Sequence, residues 1–517
     1  MSLRIGLDVG GTNTDAVLMD ETSRVLARAK VPTTRDIASG ITAALAAVLG
    51  HGPAEPVVAA MLGTTQCTNA VVARQGLRIV SVLRLGAPAT AAVPPMADWP
   101  DDLRRAVAGP VSIVPGGHDY NGRELAPLDE NGVRRSASAA AERGMPIAIV
   151  GVFSSVNGDH ERRAAEICLR EAGADHPVSI SSEVGSLGLL ERENATILNA
   201  ALTDVAHLAT KSFEEAVRSA CGARTCYFTQ NDGTLMAIDY ARRYPSLMLA
   251  SGPANSMRGA AYLSKVTDAL VVDVGGTTTD IGILVNGFPR EAPFVVDVGG
   301  ARTNFRMPDV VSLPLGGGTI VRNDGGRVRL GPDSVGYRLP HEAMAFGGAQ
   351  ATFTDVVLAL GLAELDVPVP RPGLARDVAE GAYRAALDIL DRGIERMRPS
   401  AQVMPAICVG GGSVLLPGVL NGNLEVHRPP DYAVANAIGA AISEVSGSVD
   451  RIVDLGSRDV EFVRDEVRSE ATAHAVAAGA EFSGVRIVLW EETPIAYLPG
   501  KALRMRAKAA GPLAYQR

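Results

Sequence analysis

The sequence predicts an α/β protein built from two lobes of similar topology. An eight-residue pattern, Asp-Val-Gly-Gly-Thr-Xaa-Thr-Asp, occurs at residues 8–15 and again at 273–280, each time between apolar, β-branched stretches. The chain has 517 residues, whereas a single hydrophobic core seldom grows beyond about 250–300 residues. Its hydrophobic fraction of 47%, with 55 glycines and only 4% aromatic residues, is typical of an α/β enzyme with many turns.

Each copy of the pattern predicts a β-hairpin with a tight glycine turn that faces a phosphate. Glycine pairs permit backbone angles and close approaches that a Cβ would forbid, so that backbone amides and a threonine hydroxyl can face an anion. The predicted phosphate-binding residues are Gly10, Gly11, Thr12, Asn13, Gly275, Gly276, Thr277 and Thr278. Two such hairpins facing each other across a cleft would hold a polyphosphate from both sides. The alternative is two ordinary hairpins with acidic turns.

Four aspartates of the two hairpins are the predicted catalytic residues. Asp8 and Asp273 end the first strand of each hairpin, where their hard carboxylate oxygens suit Mg²⁺, bound directly or through water. Asp15 and Asp280 follow seven residues later. They either position water around the metal or cap their own hairpins by accepting hydrogen bonds from backbone amides.

Turn signals and apolar spacing predict lobes at residues 1–176 and 177–448 and a small C-terminal extension at 449–517. Helices are predicted at residues 37–49, 160–172, 191–217, 374–397 and 433–445. The proline-rich stretch 88–115 predicts an irregular surface segment. The extension predicts strands at 485–490 and 495–498, which either continue a sheet or form a subdomain.

Charge and composition exclude several classes of protein. The 49 basic and 57 acidic side chains leave a net charge of −8, which argues against a nucleic-acid surface. No uncharged apolar stretch reaches the roughly 18 residues of a membrane span, and the first predicted strand leaves no room for a signal peptide. The five scattered cysteines fit a reducing compartment. The sequence therefore predicts a cytoplasmic protein that contacts neither membrane nor nucleic acid.

A few further polar residues are candidates whose roles the sequence leaves open. His118 with Asp119, and His341 with Glu342, are either acid–base groups or polar loop residues. Arg302 either meets a substrate carboxylate or forms a structural ion pair. The two cysteines beside glycine loops are predicted to be small buried apolar residues rather than nucleophiles, and these are Cys67 and Cys408.

Six segments in this order and spacing resemble the hydantoinase/oxoprolinase family, in particular its ATP-binding, hydantoinase A-like subunits. The matching segments are residues 5–17, 63–70, 191–202, 251–254, 272–283 and 315–322. The resemblance covers roughly residues 4–445 and implies the two-lobed actin-like ATPase fold of actin, sugar kinases and Hsp70, with duplicated ribonuclease H-like domains around a cleft. It also implies that ATP and Mg²⁺ bind the two hairpin loops. The adenosine side of the nucleotide is expected at Gly410, Gly411, Gly412 and Ser413.

The resemblance further implies an enzyme that uses ATP to open a small cyclic amide such as 5-oxoproline, a hydantoin or another lactam. Members of the family phosphorylate the carbonyl oxygen, and some relatives activate ketones for carboxylation. The alternatives are a small-molecule kinase of the same fold and a non-catalytic ATP switch subunit of a larger complex. A separate protein subunit and a homo-oligomer both fit the resemblance. Family members carry an aromatic residue at Asn13, a histidine at Leu62 and a different sequence at 339–344, so we expect a different substrate here.

Overall fold

The computed structural model describes residues 2–33, 37–50, 55–223, 225–292, 295–325, 327–365, 369–398, 404–420, 422–456, 459–495 and 502–514. Each lobe is built on a mixed β-sheet that contains one copy of the glycine pattern. We call Leu3–Val9 with Asn13–Met19 the first hairpin, and Ala269–Val274 with Thr279–Val285 the second hairpin. The predicted repeat of a strand, a glycine turn and a strand is therefore present in both lobes.

The first sheet contains the first hairpin near one edge. Leu3–Val9 pairs antiparallel with Asn13–Met19 and parallel with Val57–Thr64, and all three strands are almost fully buried, which explains their continuous apolar sequence. The strand order is Arg486–Pro494, Ala502–Gly511, Val445–Asp454, Leu235–Ala237, Thr225–Thr229, Val57–Thr64, Leu3–Val9, Asn13–Met19 and Val25–Pro32.

A side sheet of parallel strands lies next to the first sheet. Its order is Ala108–Pro115, Val80–Ala87, Ile147–Gly151 and Val178–Ile180. The prediction of an irregular segment at 88–115 was wrong for its second half, because Asp101–Val107 is a helix and Ala108–Pro115 is the edge strand. Proline is compatible with an edge strand, whose outer face donates no ladder hydrogen bonds.

The second sheet forms the second lobe. Its order is Phe288–Pro289, Thr279–Val285, Ala269–Val274, Ala406–Val409, Leu424–His427 and Val419–Leu420, and Val310–Leu313 also pairs with Thr279–Val285. Two short hairpins follow, Val296–Val298 with Ala301–Thr303 and Thr319–Asp324 with Arg327–Ser334. The first of them leaves the second sheet, and its Val298 and Ala301 pack into the core of the first lobe.

Helices cover both faces of these sheets. They are Ile37–Leu49, Gln66–Ala73, Asp101–Val107, Glu130–Glu142, Asp159–Ala172, Ser181–Val184, Leu189–Ala201, Thr203–Cys221, Ile238–Arg243, Ser251–Ser264, Leu339–Glu342, Phe353–Leu360, Arg376–Met397, Ala435–Ile442 and Val460–Ala477. The prediction of one continuous helix at 191–217 was wrong, because two helices, Leu189–Ala201 and Thr203–Cys221, occupy this stretch. The two helices meet at Leu202, whose amide is shared between the carbonyls of Leu198 and Asn199 at 3.1 and 3.3 Å. None of the helices in the described ranges is long and apolar enough to cross a membrane.

Two of these helices, Ser251–Ser264 and Ala435–Ile442, cross each other at the junction of the lobes. The backbones touch at glycines: a Cβ on Gly259 would lie 2.0 Å from the carbonyl oxygen of Ala435, and one on Gly439 would lie 1.9 Å from that of Asn255. The helix predicted at 433–445 is observed as the shorter Ala435–Ile442, whose small residues permit this close packing.

The C-terminal strands extend the first sheet. Val445–Asp454 pairs with Ala502–Gly511 along its whole length, and Arg486–Pro494 forms the sheet edge beyond it. Helix Val460–Ala477 packs on this part of the sheet. Of the two readings that the sequence left open, sheet continuation is the one observed. The strand predicted at 495–498 falls mostly outside the described residues. Strands of the first sheet come from all three of the predicted segments 1–176, 177–448 and 449–517.

Candidate functional site

The turns of the two hairpins meet between the lobes. The hydroxyl oxygens of Thr12 and Thr277 lie 3.4 Å apart. A Cβ on Gly276 would lie only 2.7 Å from the hydroxyl oxygen of Thr12, so glycine is needed there for the close approach of the two loops. The structure therefore brings together the two loops that the sequence singled out, although they are 265 residues apart.

The two turns are built alike. The Gly10 amide donates to the carbonyl of Asn13 at 3.0 Å, and the Gly275 amide donates to the carbonyl of Thr278 at 2.9 Å. The expected left-handed backbone is not found, because Gly10, Gly11, Gly275 and Gly276 all lack a positive φ. Close approach, and not an unusual backbone angle, is what requires glycine at position 276, whereas a Cβ on Gly11 would meet no atom within 4 Å.

A third glycine segment supports the second loop. The amides of Gly317 and Gly318 donate to the carbonyls of Gly275 and Gly276 at 3.1 and 2.7 Å. A Cβ on Gly316 would lie 2.7 Å from the backbone of Gly276, which leaves no room for a side chain. The segment 315–322 of the resemblance thus has a structural role beside the second hairpin.

The loop predicted for the adenosine side follows the strand Ala406–Val409 and lies against Asp273. Gly410 has a φ of +83°, and a Cβ there would lie 2.1 Å from Oδ1 of Asp273. The amide of Gly412 donates to the carbonyl of Val274 at 2.8 Å. Ser413 is buried, and its hydroxyl has no hydrogen-bond partner within the described part of the chain. Gly411 lies at the outer side of this loop, where a Cβ would lie 3.8 Å from Nζ of Lys30.

Asp8 is buried at the end of its strand, directly beside Gly63. Its side chain is 4% exposed, and a Cβ on Gly63 would lie 2.6 Å from Oδ1 of Asp8. The amide of Asn436 donates to Oδ2 at 3.4 Å, while Oδ1 has no hydrogen-bond partner among the residues described. Burial raises the pKa of Asp8 to about 7, and the negative charge of Asp15 is the second largest cause of this rise. This carboxylate is therefore short of stabilising partners in the free protein.

Asp273 occupies the matching position in the second hairpin. Burial raises its pKa, and the neighbouring side chains of Ser256 and Asn436 partly offset that effect. Asn436 thus lies close to the first-strand aspartates of both hairpins, Asp8 and Asp273. It belongs to Ala435–Ile442, one of the two helices that cross at the lobe junction.

The outer aspartates pair directly across their hairpins with Asp8 and Asp273. Oδ2 of Asp15 accepts a hydrogen bond from Nζ of Lys30 at 2.8 Å, and Oδ1 lies 2.6 Å from the same Nζ as an ion pair, yet burial still raises the pKa of Asp15. Burial raises the pKa of Asp280 to about 6; the Ser312 side chain opposes this rise, and the nearby charge of Asp273 adds to it. Within the described part of the chain, neither Asp15 nor Asp280 accepts a hydrogen bond from a backbone amide through its side chain.

This arrangement fits a divalent cation that brings its own further ligands. Four carboxylates interact with one another around a single lysine, and one buried oxygen of Asp8 is unpartnered. Within the described ranges, however, no three His, Cys, Asp or Glu side chains are placed to hold a metal ion together. Mg²⁺ commonly takes one or two carboxylates, with water and phosphate oxygens completing its octahedron. Asp8 and Asp273 fit that mode.

The two histidine-containing pairs that the sequence left open have different neighbours. His118 is buried and packs on the ring of His160 with 4.4 Å between the centroids, and burial lowers its pKa. His341 is exposed, whereas Glu342 pairs with Arg338 at 2.9 Å.

Arg302 lies 3.7 Å from the carboxylate of Glu191, as the ion-pair reading proposed. Cys67 and Cys408 are buried, and burial raises the pKa of each thiol to about 12. Both cysteines are therefore the apolar residues that the sequence predicted, since a reactive cysteine needs an accessible thiolate.

Sequence reasoning missed several residues that surround the aspartates, namely Lys30, Gly63, Asn255, Ser256 and Asn436. One signal was available, because Asn436 is a lone polar residue in the helix sequence Ala-Asn-Ala-Ile-Gly-Ala-Ala-Ile. A polar side chain in such a buried helix needs a partner. Nothing local in the sequence identified that partner as Asp8.

Comparison with known proteins identifies the family. The N-terminal region of hydantoinase/oxoprolinase matches residues 4–172, and the hydantoinase/oxoprolinase model matches residues 192–367. The chain belongs to the hydantoinase/oxoprolinase family. It is 28% identical to caprolactamase subunit alpha of Pseudomonas jessenii, over 85% of this chain and 65% of the relative. It is 26% identical to the acetophenone carboxylase gamma subunit of Aromatoleum aromaticum, over 86% and 64%. The chain thus spans slightly less than two thirds of these relatives.

Solved structures of this family share the fold. The ATP-dependent caprolactamase of Pseudomonas jessenii superposes with a TM-score of 0.75 at 20% identity, covering 99% of this chain and 88% of the other. A nucleotide-free acetone carboxylase gives a TM-score of 0.69 at 18% identity, with the same coverage. The predicted two-lobed, actin-like ATPase fold is confirmed.

Proposed function

We propose that this family member binds Mg-ATP between the two hairpins and uses it to open a small cyclic amide. The observation that carries the proposal is the contact of the two glycine loops beside four interacting carboxylates, two of them buried and two half-buried. Two adjoining glycine loops beside a surplus of negative charge suit a polyphosphate that arrives with its cation. The relatives include ATP-dependent enzymes by name, which supports this reading.

The residues divide the work between the two lobes. Gly10, Gly11, Thr12 and Asn13 would contact the phosphates from the first lobe, and Gly275, Gly276, Thr277 and Thr278 from the second. Asp8 and Asp273 would hold Mg²⁺, which when bound neutralises charge on the phosphates during transfer. Asp15 and Asp280 would order water beside that metal. Gly410 to Ser413 would line the adenosine side.

The chemistry follows from the low reactivity of an amide. Nitrogen donation makes the carbonyl carbon a poor electrophile, so the oxygen must first become a good leaving group. In the proposed step the substrate carbonyl oxygen attacks the γ-phosphorus of ATP, ADP departs, and a phosphorylated imidate remains. Water then adds to the imidate carbon, the carbon–nitrogen bond of the ring breaks as the nitrogen takes up a proton and leaves as an amine, and an acyl phosphate remains. A second water molecule hydrolyses this acyl phosphate to a carboxylate and inorganic phosphate. The amides and hydroxyls of the two loops would stabilise the transferring phosphoryl group.

The proposed substrate class is lactams and hydantoins, and the whole activity is proposed to require a separate subunit. The relatives include caprolactamase subunit alpha and 5-oxoprolinases, which supports a cyclic amide. They also include carboxylase subunits, in which the same transfer to a carbonyl oxygen would activate a ketone. Several relatives carry subunit names, and the present chain is shorter than they are.

The test measures substrate-stimulated release of phosphate from Mg-ATP over a panel of lactams, hydantoins and 5-oxoproline. We expect stimulation by at least one compound, and we expect Asp8→Ala and Asp273→Ala each to lower that stimulated rate by about a hundredfold or more, a magnitude typical of lost electrostatic stabilisation. Asp297→Ala is the matched control, because Asp297 precedes a similar Val-Gly-Gly sequence but lies exposed in the short hairpin that packs on the first lobe.

The other outcomes are equally informative. A stable phosphorylated product without ring opening would make the protein a small-molecule kinase. Nucleotide binding without turnover, combined with tight association with another chain, would make it a switch subunit. Phosphate release that is the same in wild type and in both aspartate variants would remove Asp8 and Asp273 from the site.

A further inference from the structure

A second, positively charged cavity of about 350 Å³ lies beside the helix that carries Asn255 and Ser256. Arg4 of the first hairpin, Arg258 and Tyr262 of helix Ser251–Ser264, and Arg486 of the sheet edge line it. We call it the arginine cavity. Its volume lies within the range of small-molecule sites, which is about 300–1,000 Å³.

The charges of the arginine cavity favour an anion. Three guanidinium groups line it, against the carboxylates of Glu21 and Glu444. Glu444 is already neutralised by Arg486, which donates to both of its oxygens at 2.7 and 3.0 Å. Lys265 adds a further positive charge nearby, since its Nζ lies 3.9 Å from the centroid of the Tyr262 ring.

Arg258 indicates an anion site independently of the charges that line the cavity. It is only 9% exposed, its Nη1 donates to the carbonyl of Gly287 at 2.7 Å, and its guanidinium lies 4.0 Å from the Phe288 ring centroid. Its Nη2 is 3.5 Å from Glu444, whereas its Nε has no hydrogen-bond partner within the described chain. A buried charged donor without a partner is costly, so an external acceptor is expected.

We propose that the arginine cavity binds a small oxyanion of the phosphate or carboxylate class, with Arg258 and Arg4 as its principal ligands. This site is distinct from the hairpin loops. Arg258 follows Asn255 by three residues, so the two side chains leave the helix about 4.5 Å apart along its axis. Arg258 also contacts the second lobe at Gly287, while the Tyr262 hydroxyl donates to the carbonyl of Ser23 in the first lobe at 2.6 Å. An anion bound here would therefore lie beside hydrogen bonds that connect the two lobes.

Calorimetric titration of the intact chain tests this, with inorganic phosphate and malonate as separate probes at constant ionic strength and without nucleotide. We expect at least one anion to bind the wild type. Arg258→Gln and Arg4→Gln should each weaken that binding by about tenfold or more, as expected when a hydrogen bond to a charged group is lost. If Arg258→Gln fails to fold by circular dichroism, Arg4→Gln decides the question. The probe that binds identifies the ligand class.

Two controls separate this site from others. Arg384→Gln removes an exposed arginine of helix Arg376–Met397 and should leave binding unchanged. The double variant Thr12→Ala with Thr277→Ala alters the hairpin loops: loss of anion binding in this variant, with binding retained in the arginine variants, would place the anion in the hairpin loops and overturn this inference without touching the proposed function. The proposal is wrong if neither anion binds the wild type, or if binding survives in both arginine variants.

Discussion

The two hairpins carry the same eight-residue pattern, but the rest of the molecule holds them differently. A Cβ on Gly11 in the first loop would have nothing within 4 Å, so the outer face of that turn is free. The equivalent Gly276 contacts Thr12, and its carbonyl accepts from the amide of Gly318 at 2.7 Å. The same eight-residue pattern therefore gives one open loop and one loop that is braced by the glycine segment 316–318.

The aspartates of the two hairpins also differ in the residues that surround them. The outer carboxylate of the first hairpin, Asp15, is bonded to Lys30. That of the second, Asp280, has no cationic partner among the described residues and lies opposite Ser312. Each inner aspartate is covered by a glycine, Asp8 by Gly63 and Asp273 by Gly410. The comparison shows that the outer aspartate of the first hairpin has a direct lysine partner, whereas the turn of the second hairpin is held by the glycine segment 316–318.

The largest effect on stability is expected at the two glycines that cover the inner aspartates, Gly410 and Gly63. Gly410→Ala should lower the free energy of unfolding by about 2–5 kcal/mol, because it combines a left-handed backbone with contacts to the Val274 backbone and to Asp273. Gly63→Ala should cost less, about 1–3 kcal/mol, because its nearest atom is the movable amide of Asn255. Urea denaturation of both variants measures this. Equal costs would show that the two glycines are equivalent after all.

The next effect depends on pH and compares the outer aspartates. In the folded protein the pKa of Asp280 is about 6, above its ordinary value of 3.8, so the free protein loses stability as the pH rises through that interval. The variant Asp280→Asn lacks this titrating carboxyl group and does not lose stability in that way. It should be more stable than the wild type by roughly 2–3 kcal/mol at pH 8 and equally stable near pH 3.

Asp15→Asn is the matched variant. It should give no such gain at pH 8, because it removes the partner of Lys30. Thermal unfolding at pH 3, 6 and 8 without Mg²⁺ or nucleotide is the measurement. If both variants gain equally at pH 8, Lys30 does not distinguish the two hairpins.

The smallest effect is expected at the loop glycines themselves. Gly276→Ala should destabilise the free protein by about 1–2 kcal/mol, because the Thr12 side chain must move away. Gly11→Ala should change it by less than about 0.5 kcal/mol, since its Cβ meets no atom. Urea denaturation tests both, and titration with Mg-ADP then shows whether the methyl group on Gly11 obstructs the nucleotide. A large loss of stability in Gly11→Ala would contradict the open first loop.

Much of the architecture was predictable because it is local. Apolar runs ending in a glycine pair specified both hairpins, and helical spacing located Ile37–Leu49 and Arg376–Met397 within two residues. The edge strand Ala108–Pro115 was missed because proline and glycine in its sequence are also typical of loops.

The site was predictable only in part. The loops and their four aspartates follow from the repeat, but Asn436 and Lys30 are identified as neighbours of Asp8 and Asp15 only in three dimensions. No short-range pattern links residues that far apart in the chain.

The sequence by itself determined the two hairpins, the position of an aspartate at each strand end, and the family. These follow from side-chain periodicity and glycine geometry within a few residues. Only the tertiary structure decided that the two turns touch, which loop is braced, and which aspartate has a lysine partner. Those features depend on how separate sheets and the two crossing helices pack, because burial and electrostatic interaction are set by whatever surrounds a residue in space.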